Sequence, residues 1–296
     1  MKKVSIVLGT VIALIVGFKF YDIFMDKKAQ EEVERFLSKT LRKTGDVQYT
    51  SVDYNPFTQE ITVEGIYYKA KSGESYRIGK VVIREFSETS ADFSLYNIEP
   101  LDSNEKFFLE KYGYENQKFN IEASYSISPE QNTFLLRKLS LDYPNAFSIT
   151  ISVEIGNYDH KFWKYYLQKK EITDKDSLEV LSEMGSLKLL NARFYYKDKG
   201  LKERVLEVEA KENGLSPEEF KNQLIKELEK DRKLAKNEFD IQLYDAAIKF
   251  LKEGREVIID IKPKKSVKLQ DIIFVAALQK DEDALIKLLN PYISIK

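Results

Sequence analysis

The chain has 296 residues with 47 Lys and Arg against 48 Asp and Glu, a formal net charge of −1. That balance excludes a dedicated binder of nucleic acid or another polyanion. Apolar residues make up 43% and charged residues 32%, the composition of a chain that builds a core. With no Cys and one His, thiol enzymes, disulfide scaffolds and zinc sites built on several His or Cys ligands are excluded too.

Lys2 and Lys3 precede Val4 to Phe18, a run without charge, and across Val4 to Met25 only Lys19 and Asp22 interrupt. A bilayer core takes about 20 helical residues, so this stretch is long enough to span it. Lys19 stands near one end, where a long side chain snorkels to the headgroups. Phe18, Phe20, Tyr21 and Phe24 follow as an interfacial belt, and the two leading lysines favour a cytoplasmic amino terminus with the body on the far side. A cleaved signal peptide is the alternative, but the nearest small-x-small site, Ile15-Val16-Gly17, carries a large residue at one position. Residues 1–26 thus read as a signal-anchor helix, and either reading exports the body.

Residues 27–45 read as an amphipathic linker helix, with Val33, Phe36, Leu37 and Leu41 at helical spacing and Thr44-Gly45 at its end. A strand is expected over Asp46 to Tyr54, a turn at Asn55-Pro56-Phe57-Thr58, a second strand over Ile61 to Ala70 and a third over Tyr76 to Phe86.

The runs Phe36-Leu37-Ser38-Lys39-Thr40-Leu41-Arg42-Lys43-Thr44-Gly45, Val52-Asp53-Tyr54-Asn55-Pro56-Phe57-Thr58 and Ile61-Thr62-Val63-Glu64-Gly65-Ile66 resemble the amino-terminal region of AsmA-like and YdgA-like proteins of Gram-negative bacteria. The resemblance covers about 35 residues. It implies a single inner-membrane anchor, a β-rich periplasmic body and, on the AsmA-like side, a role in envelope lipid transport or homeostasis. The chain lacks the length of family members that bridge the periplasm.

Further along, Phe119, Ile121, Ala123, Tyr125 and Ile127 alternate with Asn120, Glu122, Ser124 and Ser126. Phe147, Ile149, Ile151, Val153 and Ile155 alternate with Ser148, Thr150, Ser152 and Glu154. Period-two alternation predicts one buried and one wet face in an antiparallel sheet, with Ile151 inside and Thr150 and Ser152 turned away. Leu139, Leu141 and Tyr143 continue the pattern between them. Residues 46–156 are therefore expected to be an antiparallel β region.

Residues 157–296 read as a helix-rich α+β region. A helix is expected across 158–184, a strand over Ser186 to Lys197, and a short helix from Leu201 ended by Gly214. Ser216-Pro217-Glu218-Glu219 starts another helix, with N-cap, first-turn Pro and capping-box Glu in place. Phe239 to Glu253 gives a helix stopped by Gly254, Val257 to Ile261 a strand, Leu269 to Leu289 one or two helices, and Tyr292 to Ile295 a tail. The expected fold class is α+β: an N-terminal transmembrane helix, then a one-sided antiparallel sheet region, then a helix-rich α+β region.

Catalytic motifs are absent. No Gly-x-Gly-x-x-Gly, P-loop or Gly-x-Ser-x-Gly pattern occurs, so neither a nucleotide cofactor nor a nucleophile elbow is expected. His160 reads as a capping or surface residue, Asp174-x-Asp176 as part of a helix start with its N-cap at Thr173 or Asp174 rather than a calcium loop, and Asp281-Glu282-Asp283 as acids complementing a helix dipole. Lysines and aromatics alternate from His160 to Lys170, which suits packing or a membrane surface better than nucleic acid in an exported body.

The sequence thus points to a non-enzymatic protein with no cofactor and no metal, in contact with the inner membrane through Val4 to Met25. If the apolar sheet face is only partly covered, Phe119, Ile121, Tyr125, Phe147, Ile149 and Ile151 would line a groove for lipid; full coverage by the later helices gives a closed core instead. An envelope scaffold without ligand, and a hydrolase using carboxylates, are the alternative functions.

Overall fold

The computed structural model describes residues 45–55, 58–101, 110–114, 117–169, 173–279 and 281–296. The expected span Val4 to Met25, and the linker helix up to residue 44, lie outside the described residues. Among the described residues no helix is long and apolar enough to cross a membrane. The architecture is α+β: antiparallel sheet with helices gathered in the second half of the chain. The chain forms two compact units, one made of residues up to 108 with 115–126, the other of residues 109–114 with 127–296.

In the first unit β1 (Gly45–Gln48), β2 (Ser51–Asn55), β3 (Glu60–Ala70), β4 (Ser75–Phe86), β5 (Ser90–Pro100) and β6 (Phe119–Ser128) run in the order β1-β3-β4-β5-β6, with β2 also on β3. The strand expected over 46–54 is therefore two, both paired to β3. The sheet's apolar face changes parity partway along β3, where Ile61 and Val63 are followed by Ile66, Tyr68 and Ala70, all buried. Gly65 makes the switch at φ +62°, and a Cβ there would lie 2.1 Å from Thr50 Oγ1. Only glycine fits that backbone beside that neighbour. The irregularity continues through Gly79 on β4 to Asn97 on β5 at φ +57°, and a register shift between Leu95 and Ile98 against β6 closes it. Period-two reading passes over β5 for this reason: Ala91, Phe93 and Leu95 are odd, and Ile98 is even.

In the second unit β7 (Thr133–Tyr143), β8 (Phe147–Gly156), β9 (Lys188–Asp198), β10 (Glu256–Ile261) and β12 (Pro291–Ile295) form the sheet in that order, with the two-residue β11 (Val267–Lys268) also on β9. The expected tail is the edge strand β12, pairing Ile293 with Ile259 and Ile295 with Val257. The helices are α1 (His160–Gln168), α2 (Asp174–Ser186), α3 (Leu201–Glu212), α4 (Pro217–Arg232), α5 (Glu238–Lys252), α6 (Leu269–Ile273) and α7 (Glu282–Leu289), with a π turn over Phe274–Gln279. The helical stretch expected across 158–184 is α1 and α2, and the N-cap expected at Thr173 or Asp174 is Thr173, which forms a capping box with Asp176. Gly214 ends α3 as expected, at φ +68°. Leu215 N–H donates to Ala210 O at 2.9 Å and Gly214 N–H to Lys211 O at 3.2 Å, the Schellman pattern. Ser216 and Glu219 cap α4 reciprocally, with Pro217 in its first turn.

Candidate functional site

Strand register assigns the faces of the second unit. Ile149 stands opposite Leu141 on β7 and Tyr196 on β9; Ile151 stands opposite Leu139 and Phe194. Phe194 in turn faces Ile259, which faces Ile293. Alternation thus aligns one apolar row after another across five strands. The reverse face is polar, as the sequence requires. Thr150 and Ser140 share a hydrogen bond of 3.0 Å, Arg193 meets Asp260 at 2.6 and 3.1 Å, and Lys197 meets Glu256 at 3.2 Å. Arg193 holds the Asp260 carboxyl below its ordinary range. Ser140 is buried, and Thr150, Asp260 and Glu256 are half-buried; the Arg and Lys partners are exposed, so these pairs add little to stability and serve to mark the polar face of the sheet.

The apolar face is not uniformly covered. At one end the helical layer closes it: Tyr143, Phe147 and Ile295 are 5%, 4% and 8% exposed. Phe147 stacks on Tyr143 at 5.2 Å and on Tyr196 at 6.0 Å, and Phe250 of α5 meets Tyr196 edge-on at 5.9 Å. Burial pushes the Tyr143 and Tyr196 phenols up, so both stay neutral. At this end the buried Asp198 carboxylate accepts from Lys202 N–H at 2.8 Å and meets Arg255 at 3.2 Å. It ties the start of α3 to β9, a structural role. Away from this end Leu139, Ile149, Ile151, Phe194, Ile259 and Ile293 are only half-buried.

The six groove residues inferred from the sequence divide between the units. Phe119, Ile121 and Tyr125 lie on β6 in the first unit, and Phe119 and Ile121 are closed off at 7% and 4% exposure. Tyr125 is half-buried. Phe147, Ile149 and Ile151 lie on β8 in the second unit, with Phe147 under the helices and Ile149 and Ile151 on the open part. Ile151 alternates with Thr150 and Ser152 along the strand, but all three are half-buried, so the expected division into an enclosed Ile151 and a wet Thr150 and Ser152 is not seen. Sequence reasoning missed the contributions of Phe194, Ile259 and Ile293. The first has its alternation blurred by the neighbouring Tyr195 and Tyr196, and the last sits in a five-residue edge strand too short to show a period.

Among the described residues no group of three or more His, Asp or Glu could hold a metal. His160 opens α1 behind the N-cap Asp159, whose carboxylate accepts from Lys161 and Phe162 N–H at 2.9 and 3.1 Å. Asp176 is occupied by Thr173 and by Lys169 at 2.6 Å, which together hold its carboxyl down to about 2. Asp281 caps α7 through Ala284 N–H. Each of these acids therefore has a helix to start.

A family profile described as "Uncharacterized protein" matches residues 140–295, which contain the half-open face apart from Leu139. A protein of Aquifex aeolicus (strain VF5), also described as "Uncharacterized protein", is 46% identical over 296 residues, covering 100% of both chains. At that identity and coverage, the chain belongs to the same protein family as this Aquifex aeolicus protein.

Proposed function

We propose that the chain is a non-enzymatic, inner-membrane-anchored protein of the cell envelope whose periplasmic body holds the acyl part of a lipid against the apolar face of its second unit. The observation that carries the reading is the contrast between the strands of the two units. The apolar face of the first is closed, with Val63, Leu95 and Ile121 at 1%, 2% and 4% exposure, whereas that of the second leaves Ile149, Ile151, Phe194 and Ile259 half-open. An apolar sheet face that is only half-covered is suited to a removable apolar occupant.

Dimensions support an acyl chain. Phe147 to Ile155 is nine residues of strand, roughly 26 Å at about 3.3 Å per residue, against about 15 Å for one leaflet of bilayer hydrocarbon. Anchoring through Val4 to Met25, as the sequence suggests, would keep the body beside a lipid source. The resemblance to AsmA-like and YdgA-like proteins points the same way.

The test is a photoreactive residue at Ile149 in cells, with Thr150 as its partner on the polar face. Lipid adducts at 149 and not at 150 are expected. Adducts only to protein at 149, with the fold intact, would favour an envelope scaffold without ligand and sink the lipid reading.

A further inference from the structure

The stretch 262–279 joins two features that neither the sheet nor its helical cover uses. Lys262, Lys264, Lys265 and Lys268 are all exposed, and none has a carboxylate within ion-pair distance among the described residues. The stretch carries these four lysines against one acid, Asp271. Immediately after them, α6 and the π turn leave Ile273, Phe274 and Leu278 at 61%, 50% and 73% exposure. Beside α6 lies α2, joined to it where Leu269 N–H donates to Leu187 O at 2.8 Å and Gly185 abuts Gln270. α2 exposes Leu178, Leu181 and Met184 at 68%, 61% and 44%, spaced by three and so on one side of the helix. Single exposed apolar side chains are ordinary; six on three adjoining elements mark a contact surface.

We infer that α2, α6 and the preceding lysine loop form a docking surface for an anionic bilayer. Ammonium groups on a short loop reach lipid phosphates, while the adjoining apolar side chains enter the headgroup–acyl boundary. Lysine is depleted from protein–protein interfaces, so Lys264, Lys265 and Lys268, with Lys262 also acting on Asp260, favour lipid over a protein partner beside the apolar residues. The position also fits. β11 pairs with Leu189 and Lys188 at the start of β9, whereas Phe250 covers Tyr196 towards its end. The docking surface therefore lies at the end of the strand away from the helical cover. It stands whether or not a lipid occupies the sheet face.

The chain has no Cys, so one introduced thiol takes a label uniquely. Leu278→Cys would carry an environment-sensitive fluorophore in the full-length chain. Leu234→Cys, 70% exposed between α4 and α5, serves as the reference. Both are reconstituted into phosphatidylethanolamine vesicles containing phosphatidylglycerol, and into vesicles of phosphatidylcholine alone. A blue shift and quenching by nitroxide lipid are expected at 278 but not at 234, on the anionic vesicles only. Both signals should be lost in the variant K262Q/K264Q/K265Q/K268Q. A label at 278 that stays in water on anionic vesicles, with circular dichroism unchanged, would overturn the inference. So would a label already shielded in detergent and unaltered by vesicles, which would assign the surface to another part of the chain or a second copy.

Discussion

Truncating one isoleucine in each unit measures how closed each apolar face is. Ile121 on β6 is 4% exposed and stands opposite Leu95, itself 2% exposed. Ile121→Ala removes three carbons at about 0.8 kcal/mol each, or about 2.4 kcal/mol of transfer energy. A cavity term brings the expected cost within the ~2–5 kcal/mol seen for enclosed sites. Ile151 on β8 makes the same kind of cross-strand pair, with Leu139 and Phe194, but is half-buried. Less of the transfer term applies there and solvent fills part of the space left, so Ile151→Ala should cost about 1–2 kcal/mol. Urea denaturation gives the totals, and hydrogen exchange assigns each loss to β6 or to β8. Because the chemistry of the two substitutions is identical, their difference reports coverage alone. Equal costs would mean that the face around Ile151 is enclosed, and the acyl-binding proposal would lose its support.

Two further outcomes follow from local geometry. A Cβ on Gly254 would lie 2.3 Å from Ile295 Cγ2 and 2.8 Å from Phe250 Cα, so Gly254→Ala should destabilise by about 1–3 kcal/mol in denaturant titration, and a neutral result would refute the close approach of α5 to β12. The Asp176 carboxyl, held at about 2 by Lys169 and Thr173, contributes stability present above the ordinary aspartate range and lost as pH falls towards 2; the melting difference from Asp176→Asn should be constant above about pH 5 and close by about pH 2, and a difference that persists at pH 2 would refute the assignment.

How much the sequence reveals varies with how local each signal is. The capping box at Ser216, the glycine stop at Gly214 and the strand of β8 are written within a few residues, and the structure carries them as expected; the alternating burial expected along β8 is not seen, since Ser148 to Ile155 are all half-buried. β5 was hidden because its parity changes at Asn97, and that change is intelligible only beside Gly65 and Gly79 on the neighbouring strands. The start of α2 is written in Thr173, which the sequence marks with Asp174 as a candidate N-cap and which the structure pairs with Asp176. The candidate site shows the same division. The sequence marks which side of β8 is apolar, but coverage is a property of what packs on top. Phe147 and Ile149 have the same pattern in the sequence and opposite fates under α5.

The proposed anchor bears on how strongly the docking surface must bind. Residues 27–44 separate the apolar amino-terminal stretch from β1. Those 18 residues reach about 27 Å as a helix and roughly 60 Å fully extended. A body on such a tether meets the same bilayer at an effective concentration on the order of millimolar, so contact with it is an intramolecular event. Four lysines at about 1 kcal/mol each near an anionic surface, added to a few apolar side chains, are then ample to hold one orientation while leaving it reversible. A surface far more adhesive would fix the body to the membrane, and the sheet face could not release an apolar occupant elsewhere. The moderate size of this surface is therefore what the proposed tethered lipid carrier needs, and ionic screening over about 8 Å keeps the attraction local to the lysine loop.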